Sequence, residues 1–126
     1  MQRARRGLRI AHKGAVKLTS GIERILGMLG FARRSGRVII GAEMVSKSLR
    51  KGGVEVVVVS SFASFATKER IKSKCDLYSV SLVEADIAMD KLGRILGKTT
   101  TPAVVAVTDK GLADEIIKAS HALEEQ

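Results

Sequence analysis

Apolar residues at helical spacing define the first ordered element of this chain. Ser20-Gly21-Ile22-Glu23 is a capping box, so we expect a helix to begin at Ser20. Cations and a glycine in Arg33-Arg34-Ser35-Gly36 are typical of a helix end. Between them, four apolar residues repeat every three or four positions and predict one buried face: Ile22, Ile25, Leu26 and Leu29.

Four short apolar runs beyond this helix predict the strands of a sheet. The second run is nearly all valine and shows no alternation of polar and apolar positions, so we expect a central strand buried on both faces. Pro102 stands just before the last run, where a proline is acceptable. The four predicted strands are Val38–Ile40, Val54–Val59, Ser81–Glu84 and Ala103–Val107.

Helical patterns fill the intervals between these strands. The first runs from Gly41 to about Lys51 and directs Met44, Val45 and Leu49 inward. Caps predict the starts of the others, and the helix begun by Asp86 should close at Gly97. The predicted caps are Ser64, Asp86 and Asp109.

Helices that alternate with strands over such short intervals predict an α/β protein. We expect a single-domain three-layer α/β/α sandwich on a mixed four-stranded sheet. The domain should span residues 20–120, between a basic, flexible N-terminal arm at 1–19 and a C-terminal tail at 121–126. A chain of 126 residues can form such a core without disulfides.

Positive charge is concentrated in the first half of the chain. Residues 1–52 hold thirteen Lys and Arg against two acids, whereas residues 53–126 hold nine against eleven. This asymmetry predicts a polyanionic partner, either nucleic acid or an anionic membrane. Three Phe, one Tyr and no Trp give little material for stacking splayed-out bases, so structured RNA held through its phosphates fits better.

The arm at 1–19 contains six cations and no acid. Its apolar residues have near-helical spacing, so it could form an amphipathic helix on an anionic surface, although Gly7 and Gly14 oppose this in the free state. An organellar transit peptide, a solvated tail and a misassigned start of translation are the alternatives.

The sequence gives no pattern for catalysis or for a cofactor. His12, His121 and Cys75 are far apart in sequence, so no metal-ligand spacing exists, and Cys75 is expected to be a small buried apolar residue. Neither a P-loop nor a Gly-x-Gly-x-x-Gly motif occurs. Asp109, Asp114 and Glu115 are explained as caps and solvated helix faces, so we expect no enzyme.

The start of the second helix is the best candidate for binding. A helix start exposes unpaired N–H groups and the positive end of the helix dipole, and Gly41 lets another backbone approach. Lys47 adds a cation one turn beyond Glu43. Glu43 could read a base edge, or it could only favour the helix dipole or pair with Lys47.

Several segments resemble the kink-turn RNA-binding ribosomal protein superfamily, and the nearest branch is the small bacterial YlxQ type. The resemblance covers about residues 22–119 and implies an α/β/α sandwich that grips sharply bent RNA with the second helix start and two neighbouring loops. The similar segments are Leu29-Gly30-Phe31-Ala32-Arg33-Arg34-Ser35-Gly36-Arg37, Gly41-x-Glu43, the valine strand, Asp76-x-Tyr78, Lys91-Leu92-Gly93-Arg94-Ile95-Leu96-Gly97-Lys98 and Val104-Val105-Ala106-Val107-Thr108-Asp109-Lys110-Gly111.

The chain departs from this family at the helix start. RNA binders of the family typically show Gly-x-Asn-Glu-x-x-Lys, whose Asn and Glu face sheared guanine–adenine pairs. Gly41 and Lys47 match this pattern, but Glu43 replaces the Asn and Met44 replaces the Glu. Met44 cannot accept a hydrogen bond from guanine as a carboxylate does.

By the same resemblance, residues 60–65 and 86–89 form the two flanking loops. Phe62, Phe65, Ile87 and Met89 would there cover an unstacked base or a protein partner, unless they pack into the core. The full predicted RNA-binding set is Arg33, Arg34, Arg37, Gly41, Ala42, Glu43, Met44, Lys47, Arg50, Phe62, Ser64, Ile87, Ala88 and Met89.

The resulting hypothesis is a non-catalytic RNA-binding protein without a cofactor. Its partners would be structured ribosomal or non-coding RNA, with ribosomal or RNA-processing proteins as further partners. It would act in the cytoplasm as a monomer and would not bind a membrane. Two alternatives are a protein-interaction adaptor on the same scaffold and an isolated substrate-binding module of an RNA-modifying enzyme. A single cysteine and the lack of an apolar run of membrane-spanning length favour a soluble protein in a reducing compartment.

Overall fold

The computed structural model describes residues 13–124 of the chain, with side chains described for residues 21–121. Five helices and four strands alternate over these residues. In chain order they are α1 (Lys13–Arg34), β1 (Val38–Ile40), α2 (Ala42–Lys51), β2 (Val56–Ser60), α3 (Phe65–Tyr78), β3 (Ser81–Ala85), α4 (Met89–Ile95), β4 (Val104–Val107) and α5 (Lys110–Glu124).

The strands form one mixed sheet in the order β1-β4-β2-β3. β4 is antiparallel to both of its neighbours, β1 and β2, whereas β2 and β3 are parallel and are joined by a crossover through α3. The mixed four-stranded sheet predicted from the sequence is therefore confirmed. The edge strands are β1, which is three residues long, and β3, which exposes Ser81 and Glu84.

Two hydrophobic clusters lie on opposite faces of the sheet. Val56 and Val58 of β2 join the cluster that α1, α4 and α5 cover, whereas Val57 and Val59 join the cluster that α2 and α3 cover. All five residues of β2 are buried, as expected of a strand covered on both faces. The α/β/α sandwich is therefore also confirmed.

Helix ends largely follow the sequence signals. Gly36, in the left-handed region at φ 71°, donates its N–H to Arg33 O, and Arg37 N–H reaches Ala32 O, so a Schellman motif closes α1. The Ser64 hydroxyl accepts from Thr67 N–H at the start of α3. These predicted boundaries are confirmed.

Two helices extend beyond their predicted limits, and the limits of β2, β3 and β4 differ from the predictions by one or two residues. α1 begins at Lys13, so the predicted start at Ser20 is wrong and residues 13–19 of the predicted arm are helical. The capping-box residues lie inside the helix, because the preceding segment has no proline, and its Lys, Ala and Leu residues favour a helix despite Gly14. Residues 1–12 lie outside the described part of the chain. At the other end, α5 continues past residue 120 to Glu124.

The predicted cap of α4 is wrong. Ala88 is the N-cap residue and no side chain caps it, so Asp86 lies in the loop before the helix. The shift arises because Ile87 N–H bonds to Ala85 O and the chain turns there before it can become helical. The other end of α4 follows the prediction, because Gly97 closes it at φ 71°.

Asp109 caps the last helix as predicted, since its carboxylate accepts from Leu112 N–H at 2.9 Å. Cys75 is buried on α3, also as predicted. Burial raises the pKa of its thiol to about 11, with a smaller contribution from Asp76, so little reactive thiolate exists at neutral pH.

Within residues 13–124, none of the helices combines the length and apolar character needed to cross a membrane. Across the same described region, no three His, Cys, Asp or Glu residues group closely enough to hold a metal ion.

Candidate nucleic-acid interface

The ends of three strands meet at one end of the sheet. Ile40, the last residue of β1, pairs with Val105 near the start of β4. Ser60, the last residue of β2, pairs with Ala85, the last residue of β3. The start of α2, the β2–α3 loop and the β3–α4 loop therefore all emerge here, at what we call the Gly41 end.

Gly41 shapes the start of α2. Its backbone adopts φ 100° and ψ 143°, a region that favours glycine, and its N–H bonds to Val104 O at 2.9 Å. No atom lies within 4 Å of the position a Cβ would take, so the space beside Gly41 is open. The predicted close approach of another backbone is therefore sterically possible.

The first turn of α2 has backbone donors free for a ligand. Its first helical hydrogen bond runs from Val45 N–H to Gly41 O, so the N–H groups of Ala42, Glu43 and Met44 precede the helical ladder. The N-cap residue makes no side-chain hydrogen bond to them. These donors point, with the positive end of the helix dipole, out of the Gly41 end.

Met44 lies on the outside of α2, so its predicted inward position is wrong. The buried stripe of this helix consists of Val45, Ser46 and Leu49. At 100° per residue Met44 falls beside this stripe rather than within it, and its side chain is 53% exposed. It remains available at the surface together with the exposed residues Glu43 and Lys47.

Glu43 and Lys47 are one turn apart in α2, but they do not form an ion pair. The five ion pairs among the described side chains all join other residues. Of the roles predicted for Glu43, the pair with Lys47 is therefore not formed. The carboxylate is therefore free to meet a ligand or to act on the helix dipole alone.

Ser60 connects the two loops beside α2. Its buried hydroxyl donates to Ile87 O at 2.6 Å and accepts from Phe62 N–H at 3.1 Å, so one side chain ties the β2–α3 loop to the β3–α4 loop. Lys68 adds a second restraint by donating to Ser61 O. This connection is not among the predictions from the sequence, although a serine that ends a run of buried valines indicates a polar contact there.

The four apolar residues of the flanking loops separate into two groups. Phe62 and Phe65 are 63% and 76% exposed, and Met89 is half-buried. Ile87 is only 2% exposed and belongs to the main core, so the core-packing alternative is confirmed for it and its place in the predicted RNA-binding set is wrong. Its N–H bond to Ala85 O turns the chain so that this side chain points inward while Ala88 is exposed.

The predicted cations do not all lie at the Gly41 end. Arg37 O accepts from Thr108 N–H just beyond the end of β4, so Arg37 is at the opposite end of the sheet. Four residue steps along β1 put roughly 13 Å between Arg37 and Gly41. Arg33 and Arg34 close α1 at the same distant end, and Arg50 lies in the last turn of α2. Of the predicted cations, only Lys47 follows the helix start closely.

Comparisons with known proteins agree with this fold. The model of the ribosomal protein L7Ae/L30e/S12e/Gadd45 family matches residues 23–117. The RNA-binding protein YlxQ of Bacillus subtilis (strain 168) is 34% identical over 90 residues, which are 71% of this chain and 88% of that protein. The large ribosomal subunit protein eL30 of Trypanosoma brucei brucei is 26% identical over 100 residues, 79% of this chain and 95% of that protein.

Two solved structures share the architecture. A protein of unknown function from Bacillus halodurans C superposes with a TM-score of 0.71 at 30% identity, covering 77% of this chain and 96% of that one. The Giardia lamblia 15.5kD RNA binding protein gives a TM-score of 0.70 at 16% identity, covering 94% of each chain, and this likeness concerns the fold alone. Since the family model spans most of the sandwich, the chain belongs to the ribosomal protein L7Ae/L30e/S12e/Gadd45 family.

Proposed function

We propose that this protein is a non-catalytic RNA-binding protein that holds structured RNA at the Gly41 end. The observation that carries the proposal is the convergence of the open α2 start with two loops that Ser60 ties together. The relatives named as RNA-binding YlxQ proteins in Bacillus subtilis and Enterococcus faecium support the same function. A kink-turn or a related bent RNA is the proposed target.

The chemistry of this end suits a phosphate backbone with unstacked bases beside it. The free N–H groups of the first turn of α2 can donate to phosphate oxygens, and Lys47 adds charge on the same helix. Phe62 and Phe65 offer exposed rings on which a splayed base can stack. Ala88 and Met89 lie where the β3–α4 loop enters α4, and Ser64 caps α3 one residue before Phe65 by accepting from Thr67 N–H.

Replacing Lys47 with alanine should weaken all RNAs alike, because a lysine on phosphate carries no sequence information. Replacing Glu43 with glutamine should instead change the ratio of affinities among bent RNAs that differ at the bulge. Fluorescence anisotropy with a labelled kink-turn RNA and a base-substituted version measures both effects.

Lys118 provides the matched control, because it is an exposed lysine on α5, across the sheet from α2. Lys118→Ala should leave both affinities unchanged. Equal losses for Lys47→Ala and Lys118→Ala would contradict binding at the Gly41 end, and an unchanged affinity ratio for Glu43→Gln would remove its proposed role in reading a base.

The exposed phenylalanines also favour a second candidate, a protein-interaction adaptor on this scaffold. If Phe62 stacks on a base, Phe62→Ala should cost about 1–3 kcal/mol of RNA binding. Burial of Ile87 reduces the patch that an adaptor would use. Unchanged RNA affinity of Phe62→Ala, measured in the same anisotropy assay, would favour the adaptor over base stacking.

The proposed setting is the cytoplasm, where a monomer would bind ribosomal or other non-coding RNA and contact ribosomal or RNA-processing proteins. A substrate-binding module of an RNA-modifying enzyme would use the same surface, but a partner chain would have to supply the chemistry. Recovery of the RNA that cross-links to the protein in cells would identify the target.

A further inference from the structure

The end of the sheet opposite Gly41 carries a second group of cations. The first residues of β1 and β2 both pair with Val107, so these two strands start on either side of β4, about 10 Å apart. Arg37 immediately precedes β1, while α2 ends at Lys51 and leads into β2. We call this group the Arg37 surface, which consists of Arg33, Arg34, Arg37, Arg50 and Lys51.

Backbone hydrogen bonds hold this surface in place. Arg37 N–H bonds to Ala32 O at 2.8 Å, and Arg37 O accepts from Thr108 N–H at 2.9 Å. Arg37 is therefore fixed on both sides, to α1 and to the residue that follows β4. A cation on such a fixed backbone loses less conformational freedom on binding than one on a free loop.

Main-chain hydrogen bonds already satisfy some of the carbonyl groups that these cations could cap. Lys and Arg are common near helix C-termini because they complement the dipole and the last carbonyl groups. Backbone N–H groups of Gly36 and Arg37 already bond to the last carbonyls of α1, and Gly52 N–H bonds to Ser48 O at the end of α2. The main chain thus supplies part of the hydrogen bonding at these termini, and the Arg33 guanidinium packs against Gly97 at the end of α4.

The charges on this surface are also uncompensated. Among residues 21–121 none of its five members takes part in an ion pair, whereas Arg24, Lys68, Arg94, Lys110 and Lys118 all do. Carboxylates at this end of the sheet include Glu55, which precedes β2, Asp76 in the last turn of α3, and Asp109, which accepts from Leu112 N–H as a helix cap. Positive charge therefore exceeds negative charge at this end.

We propose that the Arg37 surface binds the phosphate backbone of a second RNA segment while the Gly41 end holds the first. The inference rests on the proposed function, because the second segment is defined relative to the first. Guanidinium groups suit phosphate oxygens, and a contact of this kind reads no sequence. The length of the sheet separates the two surfaces, so the protein bridges two parts of a folded RNA, or two RNAs.

A two-RNA capture experiment tests the bridge. A kink-turn RNA is immobilised and saturated with the full chain, and a labelled regular RNA duplex without a bulge is then added. The wild-type protein should retain the duplex on the surface. The triple substitution Arg37→Gln, Arg50→Gln and Lys51→Gln should reduce its retention about tenfold and lower the salt slope of duplex capture by about three, while kink-turn affinity stays unchanged.

A matched variant controls for net charge. The triple substitution Arg70→Gln, Lys72→Gln and Lys74→Gln removes an equal number of positive charges, three, from α3. It should leave duplex retention unchanged. Equal losses in the two triple variants would overturn the proposal, because binding would then depend on total charge. Displacement of the kink-turn RNA by the duplex would also overturn it, because both RNAs would then share one surface.

Two further outcomes separate this inference from the proposed function. If wild-type protein fails to bind the kink-turn RNA, the proposed function fails. The duplex alone is then immobilised, and the binding of the wild-type protein and both triple variants to it is measured. Selective loss in the Arg37 variant would then still support RNA binding at this surface, and equal binding by all variants would overturn it. Capture of phosphatidylserine vesicles without capture of duplex would overturn the RNA assignment in favour of a membrane surface.

Discussion

Binding of a folded, bulged RNA is expected to weaken about a thousandfold when salt rises from roughly 50 to 200 mM, if about six phosphates are neutralised. Each phosphate that contacts a Lys or Arg releases condensed counterions. The favourable free energy of this release becomes smaller as the salt concentration rises. For an RNA long enough to reach both ends of the sheet, Lys47 and the Arg37 surface supply six exposed cations for such contacts. Anisotropy titrations at several potassium concentrations measure the slope.

The control for this experiment holds magnesium constant and verifies that the RNA remains folded at every salt concentration, because RNA unfolding would also reduce binding. Lys118→Ala should show the same slope as the wild type. Affinity that does not change with salt, or no measurable binding at low salt, would contradict an interface based on phosphate contacts.

Gly93→Ala should destabilise the fold by about 1–3 kcal/mol. Gly93 lies in α4, where a Cβ would overlap the Thr100 carbonyl oxygen and come within 3.1 Å of Pro102 Cδ. Alanine normally stabilises a helix relative to glycine by about 1 kcal/mol, but here the connection from α4 to β4 would have to move. Urea denaturation at constant pH gives the change in unfolding free energy.

Gly27→Ala is the matched substitution, because Gly27 is an exposed position of α1 with no atom within 4 Å of the new Cβ. It should stabilise the protein by about 0.5–1 kcal/mol through the lower entropy of its unfolded chain. The two substitutions should therefore act in opposite directions. If Gly93→Ala also stabilises, the close approach of residues 100–102 to α4 is wrong.

Local signals in the sequence were sufficient to predict most of the helices and strands of the fold. The glycine at 36, the serine at 64 and the aspartate at 109 close or begin helices through hydrogen bonds between near neighbours, so each is visible in a short window. The valine runs likewise indicate strands buried on both faces. Ser20 shows the limit of such windows, because a capping box does not start a helix that already extends through it.

The positions of the candidate interface residues were harder to predict from the sequence. Residues from 33 to 51 are adjacent in the chain, yet β1 carries the chain from one end of the sheet to the other, so Arg37 and Gly41 lie apart. Strand register decides this separation, and register depends on partners far away in sequence. The inward turn of Ile87 likewise depends on a bond between loop residues that no periodicity reveals.

The two edges of the sheet also bear on self-association. An incoming strand could pair with only three residues at β1. At β3 it would meet Glu84, whose carboxylate lies 3.4 Å from Lys68 Nζ in an exposed ion pair. Short edges and charged residues are the features by which β-proteins avoid aggregation. We therefore expect both edges to disfavour strand pairing between copies of the chain.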